Sequence, residues 1–326
     1  MEKCYKSPIS KKRFKEVVST SNLLPIEKDN RLYNLAPGYW VYDEILSDLH
    51  QSGWIRIAPG FKSGLYAHPN KPLCIKILGM GVGENPLYFC ERGYYLEHER
   101  NMLSDFRSAG FLFAPEVLTQ TDSIHFLINE CGVRPHQAEA RVWNNDLIIT
   151  EYIPGIPFAT QTGHHLNYDL NVIPFDDNVL DEMCKALEEL SIKIRNANSK
   201  SLLHNDPMPP NIIFTLDINN QIEARLVDFE LAQNLCSESP GYVNNSVTEL
   251  YRERDVPRNT HTNIYTKNLD QHLMDEAIKL AKGIRTAAKE IRKSRSILDA
   301  VAISIPFVGG IEINLGEFFK SLRIRR

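Results

Sequence analysis

The chain has no Cys-X-X-Cys pair and no Cys/His cluster at zinc spacing; Cys4, Cys74, Cys90, Cys131, Cys184 and Cys236 are widely scattered. Neither a zinc module nor a disulfide framework is legible, and reducing surroundings are expected. No apolar run reaches the roughly 20 residues needed to cross a bilayer. The most apolar stretch, Ile297 to Ile311, is broken by Asp299, Pro306 and two glycines. The first residues are polar and basic (Lys3, Lys6, Lys11, Lys12, Arg13, Lys15) and lack the apolar centre of an export signal, so a cytoplasmic protein is expected. No internal repeat or low-complexity tract interrupts the chain. A formal charge of −4 gives no whole-molecule field that would demand nucleic acid or membrane.

What is present suits a globular protein: 326 residues, 43% of them hydrophobic, suffice for a sizeable core. Charge is unevenly spread. From Lys279 to Arg326 there are 11 Lys or Arg against 4 Asp or Glu, so the tail is a basic appendage on an acidic body. Within it, Lys279, Lys282, Arg285, Lys289, Arg292, Lys293 and Arg295 interleave at helical spacing with Ile278, Ala281, Ile284, Ala288 and Ile291. An amphipathic basic helix follows, either a solvated face on a packed helix or a surface for an anionic membrane or an acidic partner. It carries no aromatic stacking residues, so nucleic acid is disfavoured.

The order of elements is informative. Trp54 to Leu78 reads as antiparallel strands around turns at Pro59-Gly60 and Ser63-Gly64. Leu96, Glu99 and Leu103 share one side of a helix. Phe111 to Leu118 and Ile124 to Ile128 read as strands, 129–145 as an insertion or long loop, and Asp146 to Tyr152 as an apolar strand. Asp176 and Asp177 are N-cap candidates for a long helix through Leu180, Met183, Leu187, Leu190 and Ile194. The loop His204 to Asn211 comes next, then a strand Ile212 to Phe214, a turn at Asp217 to Asn220 and a strand Ala224 to Phe229.

That loop carries the chemistry. His204-Asn205-Asp206-Pro207-Met208-Pro209-Pro210-Asn211 has the form HxDxxxxN, and Asp228-Phe229 follows Asn211 by seventeen residues. A carboxylate at Asp206 can orient a hydroxyl and take its proton, while Asn211 and Asp228 offer hard oxygens to a cation. Lys76, an ammonium inside an apolar strand, demands a partner.

Over Trp54 to Glu230 this ordered set resembles the protein-kinase-like superfamily, whose catalytic loop and metal-binding segment share its form. The resemblance implies an α+β, two-lobed fold: an N-terminal extension (1–50), a strand-rich N-lobe (51–153), a helix-rich C-lobe (154–278) and the basic segment (279–326). It also implies ATP and Mg²⁺ or Mn²⁺, with Lys76 gripping phosphates, Asp206 as catalytic carboxylate, and Asn211 and Asp228 as metal ligands. The carboxylate bracing Lys76 would come from the next helix, at Glu99, which with Leu103 matches the family's E-x-x-x-L spacing, with Glu97 second. Gly60, Ser63 and Gly64 would cover the nucleotide phosphates, and Glu151 to Ile153 would form the hinge at adenine. Asp270 matches either the aspartate that braces such a catalytic loop or an ordinary N-cap.

Several positions depart from the family. Ala58 stands where a first glycine is usual, Asn205 replaces the arginine that reads loop phosphorylation, Met208 replaces a lysine and Glu230 a glycine. The HND and DFE spellings are similar to choline and ethanolamine kinases, implying a small alcohol acceptor. Only 53 residues separate Glu151 from His204, which leaves little chain for the substrate-binding insertion of that branch and of aminoglycoside kinases. A compact, divergent protein kinase is therefore the expectation, with a small-alcohol kinase or a nucleotide-binding pseudokinase scaffold as alternatives.

Overall fold

The computed structural model describes residues 10–19, 24–25, 32–34, 39–42, 44–56, 63–78, 80–81, 86–162, 165–167, 175–236, 267–293, 304–306 and 312–314. The first part of the chain supplies α1 (Lys11–Ser19), β1 (Leu24–Pro25), β2 (Leu32–Asn34), β3 (Tyr39–Tyr42) and α2 (Glu44–Gln51). There follow β4 (Ile55–Arg56), β5 (Ser63–Ala67), β6 (Leu73–Leu78), β7 (Met80–Gly81), α3 (Pro86–Ser108), α4 (Gln120–Asn129), α5 (Pro135–Trp143) and β8 (Leu147–Glu151). The fold is mixed α+β with small antiparallel sheets, the largest ordered β1-β4-β5-β6-β8.

Strand alternation gives this sheet two unlike faces. Tyr66, Ile75, Ile77, Leu147 and Ile149 point to one side and form a core with Ile45 and Leu49 of α2, Trp54, Ile124 and Leu127 of α4, and Ala138 and Val142 of α5. Cys74 and Lys76 point to the other, opposite Thr150 and Ile148 in register. There Leu96 of α3 packs on Ile148.

The later chain forms β9 (Ile156–Pro157), β10 (Thr160–Thr162), β11 (His165–Asn167), α6 (Asp177–Ser199) and β12 (Leu202–Leu203). A 3-10 turn (Pro209–Asn211) leads into β13 (Ile212–Leu216), β14 (Ile222–Leu226) and β15 (Gln233–Asn234). After α7 (Lys267–Lys293) come β16 (Ser304–Pro306) and β17 (Glu312–Asn314), which pair with each other. α6 starts as expected: Asp176 caps it by accepting from Val179 N at 2.9 Å. Its apolar stripe, Leu180, Met183, Leu187, Leu190 and Ile194, packs with β13, β14 and α7 in a second core that also takes Leu103 and Phe106 of α3. Each such side chain contributes roughly 1.5–3 kcal/mol by leaving water. α3 therefore links the face of the sheet that carries Lys76 to the second core. Phe14 of α1, from the segment read as an extension, is fully buried in the second core against Phe175.

Some expectations are corrected. Ile124 to Ile128 lies inside α4: Thr119 accepts from Asp122 N as N-cap, and Ser123, Ile124, Phe126 and Leu127 share the buried side of a helix. Within 111–118 the only bridge among the described residues is Val117 with Thr150; Arg107 instead donates to the Leu112 and Ala114 carbonyls. The 129–145 insertion holds α5, opened by Pro135 at its first turn. β14 spans Ile222–Leu226 and stops short of Asp228.

The boundary at 278 falls inside α7, a single helix of 27 residues. Its stripe of Leu273, Met274, Ala277, Leu280, Ala281, Ile284 and Ala288 is buried in the second core. Its basic face meets acids of α6: Lys282 lies 2.7 Å from Glu188, and Arg285 and Lys289 lie 3.1 and 3.2 Å from Asp181. Arg295, most of Ile297 to Ile311 and the basic ending lie outside the described residues. No helix among the described residues is long and apolar enough to cross a membrane.

Candidate active site

Lys76 emerges from β6 on the face opposite the sheet core, and its chain is only 12% exposed. Its Nζ lies 2.8 Å from Glu99 Oε2 on α3, 2.8 Å from Asp228 Oδ1 and 4.0 Å from Glu230 Oε2. Burial alone would lower the lysine pKa; Asp228, Glu99 and Glu230 outweigh it and hold the ammonium well above its ordinary value. Burial pushes Glu99 the other way, upward against the pull of Lys76. Two carboxylates at 2.8 Å from one ammonium make charge-assisted contacts of the strong kind. The other oxygen of Glu99 accepts from the Phe229 amide at 3.3 Å. One helix carboxylate thus touches both the lysine and the segment carrying Asp228.

The 204–211 loop is built around a buried carboxylate. Asp270, the fourth residue of α7, accepts from the amides of His204 and Asn205 at 2.9 and 2.6 Å. It is a brace, since an N-cap would precede the helix. Burial raises its pKa to about 6 in spite of those bonds. Asn205 has φ +65°, a left-handed conformation that asparagine tolerates better than most residues. His204 Nδ1 accepts from the Asp206 amide at 3.3 Å, which leaves Nε2–H to face the Val227 carbonyl at 3.3 Å. Its ring stacks edge-on to Phe229 at 4.5 Å, and burial lowers its pKa to about 4, so it is a neutral brace.

Asn211 turns its amide nitrogen to Asp206, donating to Oδ2 at 2.9 Å and to the main-chain oxygen at 3.0 Å. Its amide oxygen is the side-chain group left to accept or ligate. Val227 N donates to the Asn211 carbonyl at 2.9 Å, which ties the loop to the Asp228 segment. Asp228 itself has φ +64° and is about a third exposed.

Five of the expected residues are thus assembled: Lys76 with Glu99 and Asp228, and Asp206 with Asn211. The others sit differently. Gly60 lies outside the described residues, and Ser63 and Gly64 belong to β5 instead of a turn. The Tyr66 ring covers Gly64 so closely that a Cβ would lie 2.7 Å from it, a packing reason for the glycine that needs no ligand. At the end of β8, the Glu151 amide donates to Glu116 O at 2.7 Å and the Tyr152 amide to Pro72 O at 2.8 Å; Ile153 is buried.

The Glu151 side chain is held by Arg225 of β14, whose Nη1 and Nη2 donate to its two oxygens at 2.5 and 2.7 Å. Those bonds hold Glu151 below the ordinary carboxylate range although burial opposes them. This forked pair ties β8 to the hairpin that leads into the Asp228 segment. Its signal in sequence is an arginine between Ala224 and Leu226, the same anomaly that marks Lys76. A groove bounded by Pro72, Leu73, Glu116, Leu118 and Glu151 shares only Glu151 with this site.

In comparisons with known proteins, the chain matches no family model and no curated protein.

Proposed function

We propose that the chain is an ATP-dependent phosphotransferase with a two-lobed kinase-like fold, moving the γ-phosphate to a hydroxyl. What carries the proposal is the Lys76 ammonium, 2.8 Å from both Glu99 and Asp228, which unites β6, α3 and the segment after β14. Phosphoryl transfer asks a protein mainly for positioning and for positive charge near the phosphates. Lys76, held by Glu99, supplies fixed positive charge. Asp206, fixed by Asn211, orients the acceptor hydroxyl and takes its proton.

The donor set suits Mg²⁺ or Mn²⁺: the partly exposed Asp228 carboxylate and the Asn211 amide oxygen are hard ligands of the kind that hold Mg²⁺ together with substrate phosphates. When bound, the cation neutralises phosphate charge. Gly60, Ser63 and Gly64 are assigned to the phosphate cover, and Glu151 and Ile153 to the base end of the cleft.

A protein acceptor is favoured by the short stretch between Glu151 and His204 and by the Asp270 brace. A small alcohol is favoured by Asn205 and Glu230. Transfer from γ-labelled ATP with Mg²⁺ or Mn²⁺, offered protein, choline-like alcohols and aminoglycosides side by side, separates these. Wild type is expected to label protein, and Asp228→Ala to be slower by about 100-fold or more. Equal rates from both proteins sink the enzyme reading. Label on a small alcohol alone moves it to the alternative, and nucleotide binding without turnover makes it a pseudokinase.

A further inference from the structure

The residues after Asp228 are tied down at successive points. Phe229 N is held by Glu99. The Leu231 carbonyl accepts from Asn205 Nδ2 at 2.9 Å. The Ala232 carbonyl faces His98 Nε2 at 2.7 Å; a carbonyl only accepts, so that nitrogen carries the proton. Asn234 Nδ2 donates to Asp105 Oδ2 at 2.8 Å. His98 and Asp105 are seven residues apart on α3 and so share one side of it.

These ties matter because Asp228 holds a positive φ, which a non-glycine residue keeps only when its surroundings impose it. The donors at Leu231 and Ala232 are an amide and a neutral imidazole, present in the unmodified chain. Burial lowers the His98 pKa, which keeps it in that neutral form.

We infer that His98 and Asn205 are positioning residues that hold the Asp228 segment against Lys76 in the unmodified protein, so that the reaction proposed above needs no covalent activation. This rests on that proposal for its catalytic consequence, and on the hydrogen bonds alone for the tether.

The test compares full-length wild type, His98→Leu, His98→Gln and Asn205→Gly. Glycine keeps the left-handed backbone at 205, and a glutamine amide reaches about as far as Nε2. Amide hydrogen exchange is read over 226–236 and over α6, with kcat and KM for ATP measured in parallel. Losing one buried hydrogen bond is expected to speed exchange at 226–236 about tenfold in His98→Leu and Asn205→Gly, with α6 unchanged. In these two variants kcat falls by about tenfold while KM for ATP stays within about threefold, because the lysine and the base end are untouched. His98→Gln restores both, and phosphatase-treated wild type keeps its kcat.

The inference is overturned if exchange at 226–236 is unchanged in both variants, if α6 loosens equally, or if phosphatase abolishes transfer. A wild type that transfers no phosphate overturns the proposed function, whereas the exchange comparison still upholds or refutes the tether.

Discussion

Replacing Lys76 by Met and Glu99 by Gln, singly and together, probes the central cluster without any substrate. Glu99 is 5% exposed, and in Lys76→Met it loses its cation, keeping only the Phe229 amide and the neighbouring negative charge of Asp228. An uncompensated buried charge costs about 3–5 kcal/mol. In Glu99→Gln the ammonium keeps Asp228 at 2.8 Å, so the loss is that of one charged hydrogen bond, about 1.5–3 kcal/mol. Lys76→Met is therefore the more damaging change. The double variant leaves no unpaired charge at Glu99, so its cost falls short of the sum of the two single costs by a coupling of about 0.5–3 kcal/mol.

Urea unfolding measures these differences. With a slope of about 3 kcal/mol per molar, the Lys76→Met midpoint drops by about 1–1.7 M. The deficit also depends on pH. Without Lys76, burial drives the folded pKa of Glu99 further above its unfolded value. A carboxylate raised in this way contributes stability below its unfolded pKa and loses it as pH rises through the folded one, so the deficit grows as pH rises above the ordinary carboxylate range. Equal damage from the two single variants, or a Lys76→Met deficit that ignores pH, would refute the proposed electrostatics.

Two further predictions concern the scaffold. His204, lowered from 6.5 to about 4, contributes stability that is present above 6.5 and lost as pH falls through 4; Asp270, raised from 3.8 to about 6, contributes stability that is present below 3.8 and lost as pH rises through 6. The two oppose between about 4 and 6, so Asp270→Asn is expected to lose stability more steeply than wild type from pH ~6.5 to ~4, and parallel midpoint curves would exclude this. Gly155→Ala would place a Cβ 2.6 Å from the Phe214 carbonyl oxygen, a backbone atom that cannot rotate away. It should cost about 1–3 kcal/mol, and an unchanged urea midpoint would contradict the packing described.

The central cluster was legible because its members break local rules. A lysine in an apolar strand needs a counter-charge, and the E-x-x-x-L spacing of Glu99 and Leu103, shared with the kinase-like superfamily, points to its source. Asp206, Asn211 and Asp228 are readable from order and spacing. The elements around them were harder. Ile124 to Ile128 is too short an apolar run to separate strand from helix, and Thr119 with Asp122 is the local cap that decides it. α5 buries only Ala138 and Val142, too few for a periodic signal. The partners of His98 and Arg225 are 134 and 74 residues away, and the chain offers no local reason to choose Ala232 or Glu151 over any other acceptor. Phe14 is likewise indistinguishable in sequence from a surface aromatic until Phe175 covers it.

Asp270 and the amide it fixes at His204 are 66 residues apart. A ribosome adding about 5–20 residues per second needs about 3–13 s to deliver that carboxylate after the loop has been made. Throughout that interval the His204 and Asn205 amides lack the carboxylate that holds them, and nothing from α7 holds the loop in its final shape. The nascent chain is thus born with the 204–211 loop spelled out but unset, and α7, synthesised later, acts as the key that sets it.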